Sequence, residues 1–202
     1  IFLFDEVTAG TAGTDYSVYT QPLACTADGA GNLTFDAGDQ FWPIKGHSLN
    51  IYGVYPSGIM NGNDPLAADD TNVLFNVKLD QTSDANYKAS DLMTGVPADA
   101  NPVTAPTSAI TTTPLVFKHL LTKVNINLSK TPATTSITEV QLQTAKISIL
   151  NTYHTATFTP KGTAVAVDNT GATTDIVAYD GTVANTSLKY SAIVVPQTVT
   201  AG

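Results

Sequence analysis

Arginine is absent from this chain of 202 residues, and its nine basic residues are all lysine. Bidentate recognition of phosphate or guanine uses the guanidinium fork, and affinity for nucleic acid needs clustered positive charge. With a formal net charge of −8, that absence argues against nucleic acid and against an anionic membrane surface as partners. Charge of either sign is scarce. Asp, Glu, Lys and Arg make up 13% of the residues, about half the usual share, and Thr, Ser, Asn and Gln fill the gap. Such a surface is expected of an extracellular β protein. Cys25 is the single cysteine, so no disulfide can close within the chain. The residues before it, DEVTAGTAGTDYSVYT, are too polar for a lipoprotein cleavage signal, and Cys25 reads as a small core or surface residue. No stretch approaches the ~18 consecutive apolar residues of a membrane span. Because the first residue is Ile1 rather than Met, we expect either that a signal or pro-segment has been removed or that the sequence has been trimmed.

The hydrophobic share of 43% is ordinary for a folded domain, and it is distributed in short alternating runs. Ile1–Asp5 (IFLFD) predicts a strand at the visible terminus. Asp15–Leu23 and Asn32–Phe35 predict two short strands joined as a hairpin around a Gly-rich turn. Leu49–Tyr55 places apolar side chains at every second position and should stop at Pro56, which cannot donate to a ladder. Val73–Leu79 alternates in the same way. Gln81–Lys88 is polar and predicts a loop, followed by ASDLM, where Ser90 or Asp91 can cap a turn. Gly95–Pro114, with four prolines, predicts an irregular crossing between sheets.

Leu115–Ser129 (LVFKHLLTKVNINLS) is the segment with the clearest pattern. Phe117, Leu120, Leu121 and Val124 follow helical spacing, and Val124, Ile126 and Leu128 then alternate with polar residues. A helical turn feeding a central strand is the expectation. Ile147–Leu150 and Tyr153–Phe158 predict a hairpin, Ala164–Val167 and Ile176–Tyr179 short strands, and Leu188–Val195 a last long one. About a dozen short strands with Gly, Pro, Asn and Asp turns predict an all-β chain of antiparallel Greek-key sandwiches, with at most short helical turns. A boundary is expected at Lys130–Thr135, dividing the chain into domains 1–132 and 133–202, the second incomplete at its C-terminal end.

Catalytic and metal signals are weak. The three histidines, His47, His119 and His154, lack a second His, Cys or Glu at the spacing of a zinc site. The acidic loops around Asn61–Asp70 and Asp168–Asp175 do not follow the ligand order of an EF-hand. Only Glu6 and Glu139 are glutamates, there is no G-x-S-x-G, and Cys25 has no basic neighbour. No enzymatic activity and no cofactor are therefore expected. Trp42, Tyr52 and Tyr55 can form a stacking platform for sugars, although aromatics at strand spacing read first as core.

The phrases FWPIKGHSLNIYGVYP, SDLM, FKHLLTKVNINL and AIVVPQT occur in this order over Phe41–Thr198. Together they resemble the fimbrillin family of pilus subunits and tip adhesins. The residues that carry the resemblance are Trp42-Pro43, Tyr52, Tyr55-Pro56, Asp91-Leu92-Met93, Phe117, His119, Lys123, Val124 and Val195-Pro196-Gln197. The resemblance implies two sandwich domains of transthyretin-like topology, export through the outer membrane, and a place in a cell-surface fimbria. It also implies removal of an N-terminal strand by a protease, and polymerisation by strand donation between subunits. The implied partners are other fimbrial subunits, with a host protein or glycan as a further one. Ile1, Phe2, Leu3 and Phe4, together with Ile193, Val194 and Val195, are then the candidate subunit contacts. The alternative is a carbohydrate-binding sandwich of a surface protein, with Trp42, Tyr52 and Tyr55 as its platform.

Overall fold

A computed structural model describes residues 2–6, 15–17, 23–38, 48–59, 73–99, 103–104, 113–129, 138, 141, 144–160, 165–181 and 188–198. Their regular structure is antiparallel β-sheet with one short helix. The chain divides into two compact units interleaved along the sequence. The first takes Ile1–Val73, Met93–His119 and Phe158–Ala164, and the second takes Leu74–Leu92, Leu120–Thr157 and Val165–Gly202.

The first unit is built on a five-stranded sheet. Its strands are β1 (Phe2–Glu6), β2 (Asp15–Ser17), β5 (Ser48–Tyr55), β7 (Met93–Pro97) and β8 (Leu115–His119), in the order β2-β1-β5-β7-β8. A separate hairpin joins β3 (Cys25–Ala27) to β4 (Leu33–Phe35). Leu49 and Ile51 on one face of β5 are buried, and Leu23, Val103 and Leu115 pack against them. Where β7 no longer reaches, Val103 completes the edge of β5, exchanging two backbone hydrogen bonds of 2.8 and 2.6 Å with Leu49. On the same face of the sheet Phe117 lies over Gly53 and Gly95. A Cβ at Gly53 would fall 2.6 Å from the ring, and one at Gly95 2.9 Å from it. Both positions are glycine because the aromatic ring takes the space a side chain would need.

The second unit holds most residues of three small sheets. One has the order β12-β11-β6, from Val165–Val167, Thr155–Phe158 and Val73–Asn76. Another has the order β14-β15-β9, from Tyr179–Asp180, Leu188–Val194 and Thr122–Leu128, and the third pairs β10 (Ser148–Thr152) with β13 (Thr174–Val177). Phe75, Val77, Leu92, Ile176, Tyr190 and Val195 are among its buried side chains. The helix α1 (Asp84–Ala89) starts at Ser83, whose hydroxyl accepts the Asn86 N–H at 3.2 Å, and carries an Asp84–Lys88 ion pair of 2.7 Å. Its Tyr87 stacks on Tyr179 with ring centroids 4.9 Å apart, and the Lys123 ammonium lies 5.9 Å from the Tyr87 ring centre.

Four local expectations are corrected. Leu115–His119 is a strand, not a helical turn: Leu115 and Phe117 share one face, and the chain breaks at Leu120 before resuming as β9. Spacings of three and four arise there because two strands meet at a break, which imitates helical periodicity. The helix lies within the segment read as a loop, because a Ser cap and an i,i+4 ion pair support a polar turn without an apolar stripe. β10 and β11 follow each other but do not form a hairpin; each pairs elsewhere, and Asn151 has a φ of 56° beside the irregular step in β10. The partner of Leu33–Phe35 is Cys25–Ala27 rather than Asp15–Leu23, which leaves Asp15–Ser17 to pair with β1. In addition, Met93–Pro97, at the start of the proline-rich crossing, is ordered strand between β5 and β8.

Candidate functional site

A chain whose expected chemistry is strand pairing has its functional groups on the backbone, so the site is defined by which strand edges are filled. β1 runs between two strands. It pairs with β5 over Phe2↔Tyr52 to Glu6↔Ser48, and with β2 over Phe4↔Ser17 to Glu6↔Asp15. Phe4 is therefore paired on both sides, and Phe2 and Leu3 are paired with β5. Ile1 lies outside the described residues.

Ile193 and Val194 at the end of β15, and Val195 just after it, are buried. This strand runs between β14 and β9, and its register with β9 is unbroken from Leu188↔Leu128 to Val194↔Thr122. β14 reaches only Tyr190 and Ser191, and a side chain continues the ladder beyond it. The amide of Gln81, wholly buried, donates from Nε2 to the Ile193 carbonyl at 2.8 Å and accepts the Ile193 N–H at 2.8 Å on Oε1. A second Nε2 bond of 3.1 Å goes to the Lys78 carbonyl, and the Gln81 backbone N–H donates to Val177 at 3.0 Å. Gln81 thus joins the end of β13 to β15 where the two diverge, with a primary amide in the place of a peptide group.

Gln197 makes the same arrangement with Tyr153. Its Oε1 accepts the Tyr153 N–H at 2.9 Å and its Nε2 donates to the Tyr153 carbonyl at 3.0 Å. Sequence reasoning named Gln197 only as part of a phrase and did not single out Gln81. A glutamine has no periodic signature that marks it as buried. The available signal was a polar residue three positions before the α1 cap segment ends in Asp84, too slight to separate from a solvated loop.

Of the aromatic candidates, Tyr52 and Tyr55 do not share a face. Tyr52 and Tyr55 are both half-buried on β5, and an odd separation on a strand sends them to opposite faces. Trp42 lies outside the described residues. Asp168 and Asp175 of the second acidic loop are engaged locally. Asp168 accepts the Thr170 N–H at 3.0 Å and its hydroxyl at 2.6 Å, and Asp175 accepts the Asn151 N–H at 3.2 Å. The same turn recurs at Asp80 with Thr82, and Asp28 caps its own turn through Ala30 and Asn32. These bonds hold the carboxyls of Asp28, Asp80 and Asp168 below the usual carboxylate range. Burial pushes the Cys25 thiol up, away from the thiolate form a nucleophile needs.

Residues 1–202 match the family model for fimbrillin-like proteins. The chain belongs to the fimbrillin-like family. That family is one of structural subunits and adhesins, and it indicates a fimbrial or adhesive role at the cell surface. Among solved structures this fimbrillin-like chain is similar to one described as a "putative cell adhesion protein" from Bacteroides uniformis. The TM-score is 0.58, with 23% sequence identity, covering 100% of this chain and 69% of that one. At that identity the likeness establishes the fold. A search of curated proteins returns no match.

Proposed function

We propose that this chain is a structural subunit or adhesin of a bacterial surface fimbria, without enzymatic activity, and that it joins its neighbours by strand donation. The observation that carries this reading is the match to the fimbrillin-like family along the whole chain. The physical basis is β-augmentation: an extended segment of one subunit completes a sheet of the next, with backbone bonds giving affinity and alternate side chains specificity. A donated strand burying roughly 600 Å² of apolar surface contributes on the order of 15 kcal/mol before ordering costs.

Of the two candidate segments, β1 is the better fit for the strand whose removal opens a groove, which an extended segment of the neighbouring subunit then fills. The β1 ladder with β5 spans five residues, so its departure would leave the β5 edge from Ser48 to Tyr52 for a donor strand. β15 is held by seven register pairs with β9 and by the buried Gln81 amide. Export through the outer membrane and proteolytic removal of an N-terminal strand belong to the same proposal.

The test compares the full chain with a variant beginning at Val7, each incubated at high concentration and imaged by negative-stain electron microscopy. Filaments from the shortened chain, and monomers from the full one, are the expected result. Monomers from both, with the shortened chain still folded by circular dichroism, would sink the strand-donation reading.

A further inference from the structure

Edge strands carry unpaired backbone groups and are usually kept short, bulged or interrupted by proline. Most of the edges here follow that rule. β2, β4 and β12 have three residues each, β14 has two and β6 has four. β9 is different. Among the described residues it is a seven-residue edge strand, TKVNINL, without proline, and its register with β15 has no bulge.

The side of β9 that is open follows from the bonds of β15. Lys189 accepts from Gly181, and Ile193 exchanges both its bonds with Gln81. The odd-numbered residues of β15 therefore face away from β9, and Leu188, Tyr190, Ala192 and Val194 face toward it. Their partners Leu128, Ile126, Val124 and Thr122 carry the β9 ladder. Lys123, Asn125 and Asn127 direct their N–H and C=O groups outward. Among the described residues these groups make no backbone hydrogen bond, and all three residues are exposed.

We propose that this edge pairs with the same edge of a second copy, β9 against β9 about a two-fold axis at Asn125. In the antiparallel register centred there, Asn125 meets Asn125, and Lys123 meets Asn127 on each side. Every outward N–H and C=O of both strands then lies in a hydrogen-bonded pair, giving six bonds with no residue left over. Val124 stands opposite Ile126 of the other copy, so the half-buried apolar face continues across the junction. The two lysines do not oppose each other. A shift of register by two residues leaves an outward pair unmatched at each end. This contact needs no strand to leave its own sheet, so it is independent of strand donation.

Sedimentation equilibrium of the full chain tests it, with charge variants at the exposed position 127. Dimers are expected in the wild type. Asn127→Lys places two lysine pairs face to face and is expected to weaken the dimer at least fivefold. Asn127→Glu replaces each pair by an opposite-charge pair and is expected to tighten it several-fold. Asn125→Pro removes the central outward N–H without touching the β15 ladder and is expected to abolish the dimer; if it does not fold, the two charge variants decide alone. A wild type monomeric at several hundred micromolar, or dimers that respond equally to Lys and Glu at position 127, would overturn the proposal.

Discussion

Gln81 shows how much of this fold depends on single polar groups. Its amide satisfies two backbone groups of Ile193 and the Lys78 carbonyl in a fully buried setting. Replacing it by Met keeps the volume and removes the amide, leaving three polar groups unpaired at about 1–3 kcal/mol each. We expect Gln81→Met to lose about 3 kcal/mol or more in urea unfolding. Gln197→Ala should lose about half as much, because Gln197 is only half-buried and water can reach its partners. The exposed carboxylates give a second prediction. Asp28, Asp80 and Asp168 have folded values below the unfolded one, about 3.9, so their contribution is complete above that value and is lost as pH falls through the lower, folded values. The thermal midpoint should therefore drop below about pH 4, and the combined variant Asp28→Asn, Asp80→Asn, Asp168→Asn should show a shallower drop across the same range.

At the scale of elements, the sequence was legible wherever one strand face was dry and the other wet. β5, β6, β9 and β15 lie where alternation placed them, because their apolar positions recur every second residue. The partners of those strands were not legible. Pairing between β9 and β15, or between β10 and β13, is set by contacts far apart in sequence, and short strands of three residues carry too little pattern to fix a register. The hairpin expected around Tyr153 failed for that reason, since β10 pairs with β13 and β11 lies between β12 and β6. Of the candidate contacts, the pattern located β1 and β15 as strands but could not tell an inner strand from an edge. The contact of β5, β7 and β8 through Phe117 yields a further prediction. Gly53→Ala drives a methyl group into that ring and should cost about 1–3 kcal/mol. Pairing it with Phe117→Leu should recover part of the loss, a coupling that a double-mutant cycle in chemical denaturation would measure.

For the whole molecule, the division expected at 132/133 and the compact units differ in kind. The first is a point along the chain; the units alternate, with Leu74–Leu92 inserted between two stretches of the first unit. This segment carries Gln81 and α1, which engage Ile193 and Tyr179. A fragment of residues 1–132 would hold β9 without β15, and a fragment of 133–202 would hold β15 without Gln81. Neither is expected to unfold cooperatively alone, and mixing the two should restore a single sharp transition by circular dichroism.

The β9–β15 ladder has a consequence for how the chain reaches this state. Leu128 meets Leu188 and Thr122 meets Val194, so the pair closes a long intervening loop, and non-local closure of this kind slows folding. During synthesis from the N-terminus, β9 is complete long before its partner exists. The β9 edge of the second unit stays unpaired until β15 has been made. Folding of that unit is therefore timed by the appearance of β15, whatever has already formed in the strands before it.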